Sequence, residues 1–135
     1  MFSSSRRRRR DERGSVAIQM VFLMPALFLV MFLGVQGALY YHAREVALAA
    51  AQEGAREAGS ENGSRASGVA AANGFLRDAG GSDVMTSTNV SGARTTTTAT
   101  ITVTGKSMSV IPGWSPHVTQ SASMPVERLT TAGDP

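Results

Sequence analysis

A long stretch without charged residues dominates this sequence. From Val16 to Tyr41 it contains no Asp, Glu, Lys, Arg or His, and only Gln19 and Gln36 have strongly polar side chains. At about 1.5 Å per residue the stretch would form a helix of roughly 39 Å, longer than the ~30 Å hydrocarbon core of a bilayer. A helix inside a small soluble domain is rarely apolar on every face. The stretch therefore predicts a membrane-spanning helix over residues 15–41.

The positive charge of the chain is concentrated in front of this stretch. Residues 1–14 contain six arginines, Arg6–Arg10 and Arg13, against Asp11 and Glu12, which gives a net charge of +4. Because the whole chain carries +3, the remaining residues sum to −1. Arginines beside a membrane span hold their end of the chain in the cytoplasm. We therefore interpret this segment as a cytoplasmic leader and expect the residues after the span to lie outside the cytoplasm, with no nucleic-acid partner.

The helix is predicted to continue beyond the membrane. Residues 42–58 are rich in Ala, Glu, Arg and Gln, which are good helix formers, and their polar side chains fall on one face. The opposite face is a seam of mostly small residues: Ala43, Val46, Ala47, Ala50, Gly54 and Ala58. Small side chains let a second element approach a helix backbone closely. The following Gly59–Gly63 segment predicts the end of the helix.

A shorter helix is predicted next, over residues 64–78. Ser64 stands where an N-cap residue is expected, because its hydroxyl can accept a hydrogen bond from a backbone N–H of the first turn. Its predicted buried side consists of Val69, Ala72, Phe75 and Leu76. The glycine-rich residues 79–82 are predicted to end it.

Three strands are predicted in the remainder of the chain, at 84–91, 95–104 and 117–128, with a turn at 91–94 and a loop at 110–116. In the second strand Ala99, Ile101 and Val103 alternate with threonines, the pattern of a strand with one buried face. The third would bury Val118, Ala122, Met124 and Val126. Pro125 argues for an edge position, because proline cannot donate a ladder hydrogen bond.

The predicted fold class is α+β. A long N-terminal transmembrane helix continues into a small outer domain over residues 42–128, where it packs on about three antiparallel strands. Residues 129–135 are predicted to form a flexible C-terminal tail. The sheet needs its apolar face covered, and the Ala-rich half of the long helix is the expected cover.

The sequence contains none of the residue patterns that indicate catalysis or cofactor binding. It has no cysteine, and His42 and His117 are its only histidines, so neither a thiolate metal site nor a disulfide framework is possible. Hydrolase, metalloprotease and phosphate-loop motifs are missing as well. We therefore expect a protein that is not an enzyme and that carries no cofactor and no metal.

Four short motifs follow each other at the membrane boundary and along the helix. They are Arg13-Gly14-Ser15, Met24-Pro25-Ala26-Leu27, Tyr40-Tyr41 and Gln52-Glu53-Gly54-Ala55-Arg56. In order and spacing they resemble TadE-like proteins, the pilin-like minor subunits or assembly proteins of tight-adherence (Flp-type) pili. The resemblance implies a pilin-like outer domain and a family signature at Gly54, Ala55 and Arg56.

The resemblance also implies processing by a prepilin peptidase. In pilin-like proteins this enzyme cuts after the glycine that corresponds to Gly14, so that Ser15 becomes the first residue and the apolar helix is retained. The family usually has Glu at the fifth position after the cut, where this chain has Gln19. A glutamine can accept a hydrogen bond but brings no charge to pair with the free amine of a neighbouring subunit.

The predicted function is structural: a minor pilin or a pilus assembly factor of a bacterial tight-adherence pilus or related secretion system. The expected partners are the lipid bilayer, other pilin-like subunits, pilus platform proteins and the prepilin peptidase. Lateral helix assembly is assigned to Gln19, Pro25, Gly34 and Gly37, since small residues and a mid-span proline adapt a helix to close neighbours.

Two alternatives remain open from the residues alone. The first is a membrane-anchored extracytoplasmic binding module unrelated to pili, in which the helix only tethers the outer domain. The second is a secreted protein with a cleavable signal that ends near Gly37, although its apolar region would exceed the usual 7–15 residues.

Overall fold

The computed structural model describes residues 8–129, and side-chain burial from residue 14 onward. Its elements are helix α1 at Arg8–Gly59, helix α2 at Arg65–Asp78, a 3-10 turn at Gly81–Asp83, and strands β1 at Met85–Arg94, β2 at Thr98–Ser107 and β3 at His117–Pro125. The predicted α+β class is confirmed. Residues 1–7 of the predicted leader lie outside the described residues, as does the predicted tail 129–135 apart from Leu129.

The long helix begins earlier than predicted. It starts at Arg8 rather than at Ser15, so that Ser15 lies inside the helix. The reason is local, because Arg and Glu in residues 8–13 are good helix formers. A single glycine, here Gly14, costs a helix only about 1 kcal/mol and does not end it.

The chain divides into two units, one ending at Val35 and one beginning at Gln36. In the first unit every residue from Gly14 to Val35 is exposed. In the second unit α1 buries the predicted seam, with Ala43, Ala47, Ala50, Gly54 and Ala58 inaccessible or nearly so and Val46 partly buried. Ala51 and Ala55 are also buried, so the buried stripe is wider than the predicted one.

Helix α2 begins as its sequence predicts. The Ser64 hydroxyl accepts the N–H of Ser67 at 3.0 Å, and the Ser67 hydroxyl accepts the N–H of Ser64 at 2.8 Å. This reciprocal capping box satisfies two N–H groups that a helix start otherwise leaves without partners. Ala72 and Leu76 are buried as predicted, together with Gly68, whereas Val69 and Phe75 are only partly buried.

The three strands form an antiparallel sheet in the order β1-β2-β3. The central strand buries Ala99, Ile101 and Val103, as the period-two pattern predicted. Its other face carries threonines whose hydroxyls pair across to β3, Thr100 with Ser123 at 2.7 Å and Thr102 with Ser121 at 3.0 Å.

The predicted turn between the first two strands is wrong. Strand β1 continues through Arg94, and the chain reverses at residues 95–97 instead. The Thr95 hydroxyl accepts the N–H groups of Thr97 and Thr98, at 3.3 and 3.0 Å. A threonine can form such a side-chain turn, but four consecutive threonines look like a strand in the sequence.

The third strand is an edge strand, as Pro125 indicated, and it ends at that proline rather than at Arg128. Beyond Pro125 the chain leaves the ladder. The Val126 N–H binds the Thr97 carbonyl at 2.9 Å, and the Glu127 N–H binds the Gly59 carbonyl at 2.8 Å. The first bond joins the end of β3 to the turn between β1 and β2, and the second fastens it to the end of α1.

Candidate functional site along the long helix

The candidate site is α1 itself, and its first part is an uncovered apolar surface. Among the described residues, α1 is the one helix that is long and apolar enough to cross a membrane, and none of its most apolar window is buried. Phe22, for example, is 75% exposed. Removing apolar surface from water is favourable by roughly 25 cal/mol per Å². A run of this length therefore requires lipid or neighbouring helices around it.

The residues predicted to act in processing and helix assembly lie mostly on this surface. Gly14, Ser15, Gln19, Pro25 and Gly34 are all exposed. The structure does not gather them into one site within this chain. They are spread along a helix that continues through Pro25.

Gly34 and Gly37 were assigned to helix pairing. A side-chain carbon built on either glycine would meet nothing within 4 Å. No packing within the described part of this chain therefore requires a glycine at these two positions.

A change from full exposure to burial occurs at Gln36. Its side chain is 2% exposed, although it stands inside the apolar stretch. The Gln36 Oε1 accepts the N–H of Val110 at 3.0 Å, and its Nε2 donates to the Met108 carbonyl at 3.4 Å. The Gln36 amide thus bonds to backbone groups two residues apart in the loop after β2, as the backbone of a neighbouring strand would.

Ser109 also takes part in the contact between Gln36 and the loop. The Ser109 hydroxyl lies 2.9 Å from the Gln36 Oε1 and 3.0 Å from the Ile111 carbonyl, and it accepts the Ile111 N–H at 3.0 Å. Because a hydroxyl has one proton, it donates to one of the two oxygens at a time. The Gln36 side chain and the Ser109 hydroxyl therefore fix the loop through hydrogen bonds to its backbone.

The other end of the packed part of α1 is held by an arginine from β1. The Arg94 Nε donates to the Ala58 carbonyl at 2.7 Å, and its Nη2 lies 3.4 Å from the Ser60 carbonyl. The last carbonyls of a helix have no partners inside it, and a cation there also interacts favourably with the helix dipole. Arg94 therefore caps α1 from the sheet.

The family signature lies on both faces of α1. Gly54 and Ala55 are buried, whereas Arg56 is exposed and pairs with Glu53 at 2.8 Å. An exposed pair of this kind stabilises a helix by only a few tenths of a kcal/mol.

Close packing of α1 against α2 explains why residue 54 is a glycine. A Cβ on Gly54 would lie 2.6 Å from the carbonyl oxygen of Gly68 and 2.9 Å from the Cβ of Ala72. The two helices therefore cross with their backbones in contact.

Sequence reasoning missed three residues of this arrangement. Gln36 was noticed only as a polar residue in the span, Arg94 fell in the predicted turn at 91–94, and Gly68 was given no role. A usable signal existed for Gln36, because a polar side chain in an apolar run needs a hydrogen-bond partner when it is buried. The partners of Gly68 and Arg94 are distant in sequence and leave no local pattern.

The outer domain also contains the two histidines of the sequence and a surface depression. His42 and His117 are both exposed, and in residues 14–129, whose side chains the structure describes, no group of three potential metal-ligating side chains comes together. A partly open depression lies between α2 and β1, with Asn73 and Arg77 on one side and Thr86 and Thr88 on the other.

The geometry defines an α+β protein whose single long helix is apolar and uncovered in its first part and packed through small residues in its second. Residues 14–56 match the family model described as TadE-like protein. Over these residues the chain is similar to TadE-like proteins, the family that its four motifs resemble, and that family is associated with the tight-adherence pilus. Searches of curated proteins and of solved structures find no match.

Proposed function

We propose that this protein is a single-pass membrane subunit of the tight-adherence pilus, acting as a minor pilin or as an assembly factor. The observation that carries the proposal is the TadE-like match over residues 14–56. The matched segment begins at the proposed processing glycine, includes the exposed apolar stretch and ends at Arg56. Its role is structural, through lateral contacts of α1 with lipid and with other pilin-like subunits or platform proteins.

The exposed apolar surface supports an assembly role. Side chains on all sides of α1 are uncovered between Gly14 and Val35, so neighbouring helices can approach from any direction. Gly34 leaves open space where a neighbouring backbone can come close. Gln19 offers an amide to such a neighbour without introducing a charge into a low-dielectric region.

An exchange of the apolar stretch tests assembly against simple tethering. Residues 16–35 are replaced by an unrelated apolar sequence of equal length, while Gln36 is kept because it belongs to the packed unit. With membrane levels of the two chains equal, loss of pili and of surface adherence in cells that carry the exchanged chain supports assembly. Normal pilus formation would instead support a tethered binding module.

A second variant, Arg56→Ala, tests whether the exposed residue of the family signature contacts a partner protein without contributing to the stability of the fold. The exposed Arg56 contributes little to stability, so Arg56→Ala is expected to leave thermal unfolding unchanged and to reduce pilus formation. Arg77→Ala, which removes an exposed arginine from α2 outside the matched segment, is the matched control. Equal pilus formation in both variants would remove Arg56 from the proposed contact surface.

The proposed orientation has the N-terminus in the cytoplasm and the outer domain outside. It rests on the arginines of residues 6–10 and the positive-inside rule. Because the chain has no cysteine, single cysteines report cleanly on sidedness. With a membrane-impermeant maleimide, Ser82→Cys, at an exposed position, is expected to react in spheroplasts with an intact membrane. Ser4→Cys, expressed in cells without prepilin peptidase so that the leader is retained, is expected to react only after the membrane is permeabilised. The reverse pattern would contradict the orientation.

Processing after Gly14 is the remaining part of the proposal. Gly14 and Ser15 are helical, so a peptidase must unwind this segment before an extended backbone can enter its active site. N-terminal sequencing of the mature membrane form tests the cut. A chain that starts at Ser15 supports processing, whereas a start at Met1 or Phe2 excludes it.

A further inference from the structure

The loop between β2 and β3 exposes apolar side chains although it belongs to the packed unit. Met108, Val110 and Trp114 are between 37% and 50% exposed. Residues 107–116 contain no charged side chain. Gly113 has a φ of 77°, a left-handed conformation that suits glycine, and it lies in the centre of a turn that the Trp114 N–H closes on the Ile111 carbonyl at 3.3 Å.

The position of this loop is set by Gln36. Both hydrogen-bonding groups of the Gln36 amide are bound to the loop backbone, at Met108 and Val110. Gln36 directly follows Val35, the last residue of the uncovered apolar stretch. A loop tied to Gln36 therefore stays close to the point where the apolar stretch enters the packed unit.

The residues around this point are those of a membrane–water boundary. Tyr and Trp concentrate at such boundaries, where their rings occupy the headgroup level. Tyr40 and Tyr41 follow Gln36 within about 8 Å along the helix at 1.5 Å per residue, and Tyr41 is exposed. Lys106 and His117 stand opposite each other in register at the base of the loop, and a lysine side chain can lay its apolar stem along a membrane interface while its charged end stays in water.

We propose that the loop of residues 108–114 is a second membrane contact, which inserts Trp114 and its apolar neighbours into the headgroup layer of the bilayer that α1 crosses. The inference rests on the proposed membrane-spanning role of α1. It adds a separate surface to that role, because the loop lies outside the TadE-like segment. Three apolar side chains and the helix would then hold the outer domain against the membrane at two points.

Trp114 is the only tryptophan of the chain and serves as the probe. The full chain is reconstituted into phosphatidylcholine–phosphatidylglycerol vesicles whose lipids carry bromine either near the headgroup or near the chain end. We expect a blue-shifted Trp114 emission that is quenched more strongly by the shallow bromines than by the deep ones.

Two variants whose one tryptophan is moved to another position calibrate the depth that the quenching reports. Trp114→Phe combined with Leu27→Trp places the probe in the middle of the apolar stretch and should be quenched most by the deep bromines. Trp114→Phe combined with Gln52→Trp places it on an exposed position about 24 Å beyond Gln36 along α1 and should not be quenched.

Two further variants test whether the apolar side chains of the loop and its hydrogen bond to Gln36 cause the shallow quenching of Trp114. Val110→Asp places a charge on an exposed side chain while leaving the Val110 N–H bond to Gln36 in place, and should abolish shallow quenching of Trp114. Gln36→Leu removes the bond itself and should lower shallow quenching toward the value of the Gln52→Trp control.

The outcomes separate this inference from the proposed function. If the Leu27→Trp probe is quenched and Trp114 is not, α1 spans the membrane and the loop contact is wrong. If neither is quenched, the spanning role fails and the loop contact fails with it. A Trp114 emission that is blue-shifted equally in detergent and insensitive to bromine would show that protein, such as a second copy of the chain, covers the loop, and would also overturn the inference.

Discussion

Gly54 of α1 and Gly68 of α2 face each other across a helix crossing. A Cβ on Gly54 would lie 2.6 Å from the carbonyl oxygen of Gly68, and a Cβ on Gly68 would lie 2.6 Å from the carbonyl oxygen of Gly54. Ile101 of the central strand lies against both glycines, within 3.2 Å of either added carbon. The crossing therefore joins α1, α2 and the sheet at a point where only glycine fits.

The first prediction concerns this crossing. Gly54→Ala should lower the free energy of unfolding, because the added methyl group meets backbone atoms that cannot rotate away, and overpacking of this kind costs about 1–3 kcal/mol. Thermal unfolding of the detergent-solubilised full chain, followed by circular dichroism, measures the effect. Gly68→Ala should behave in the same way.

Gly74→Ala provides the matched control in α2. An added carbon there would come no closer than 3.8 Å to another atom, the end of the Arg77 side chain. The substitution should raise the free energy of unfolding by roughly 0.5–1 kcal/mol, since alanine is the better helix former. Equal effects of the three substitutions would mean that helix propensity, and not the crossing, governs these positions.

The second prediction concerns Gln36. Gln36→Leu should destabilise the packed unit by about 1–3 kcal/mol, because the Val110 N–H loses its acceptor. Gln19→Leu changes the same residue type on the exposed part of the helix and should leave the stability of that unit unchanged.

Hydrogen exchange locates this effect. The amide of Val110 should be protected in the natural chain and should exchange faster in Gln36→Leu than in Gln19→Leu. Unchanged protection of Val110 in Gln36→Leu would contradict the assigned hydrogen bond.

A third prediction compares two serines that lie two residues apart. Ser107 is 1% exposed, and its hydroxyl has no hydrogen-bond partner among the described residues, so Ser107→Ala should be neutral or should stabilise by up to about 1 kcal/mol. Ser109→Ala removes the hydroxyl that contacts Gln36 and Ile111 and should destabilise by about 1 kcal/mol. Paired unfolding measurements give the sign of each change.

The fourth prediction concerns the cap that the sheet provides for α1. Arg94→Met keeps an unbranched apolar side chain but leaves the Ala58 carbonyl without its donor, and should cost about 1 kcal/mol. Arg56→Met removes an exposed pair on the same helix and should change stability by less than about 0.5 kcal/mol. A larger loss in Arg56→Met than in Arg94→Met would contradict the assignment of the cap.

Local patterns in the sequence were sufficient to predict the helices and strands of this fold. The alternation around Ile101 predicted the central strand, the three- and four-residue spacing from Ala43 to Ala58 predicted the buried face of α1, and Ser64 predicted the start of α2. Each of these signals arises from residues within a few positions of each other. The turn at residues 95–97 was misplaced because threonine suits both strands and side-chain turns.

The sequence by itself determined that the chain has a helix able to cross a membrane, and its motifs indicated a TadE-like protein. Length, missing charge and motif spacing are properties of one continuous segment, so they can be read without a structure. Only the tertiary structure decided where the packed unit begins, at Gln36, and why Gly54 and Arg94 stand where they do. Their partners, Val110, Gly68 and Ala58, lie far away along the chain and are brought to them by folding alone.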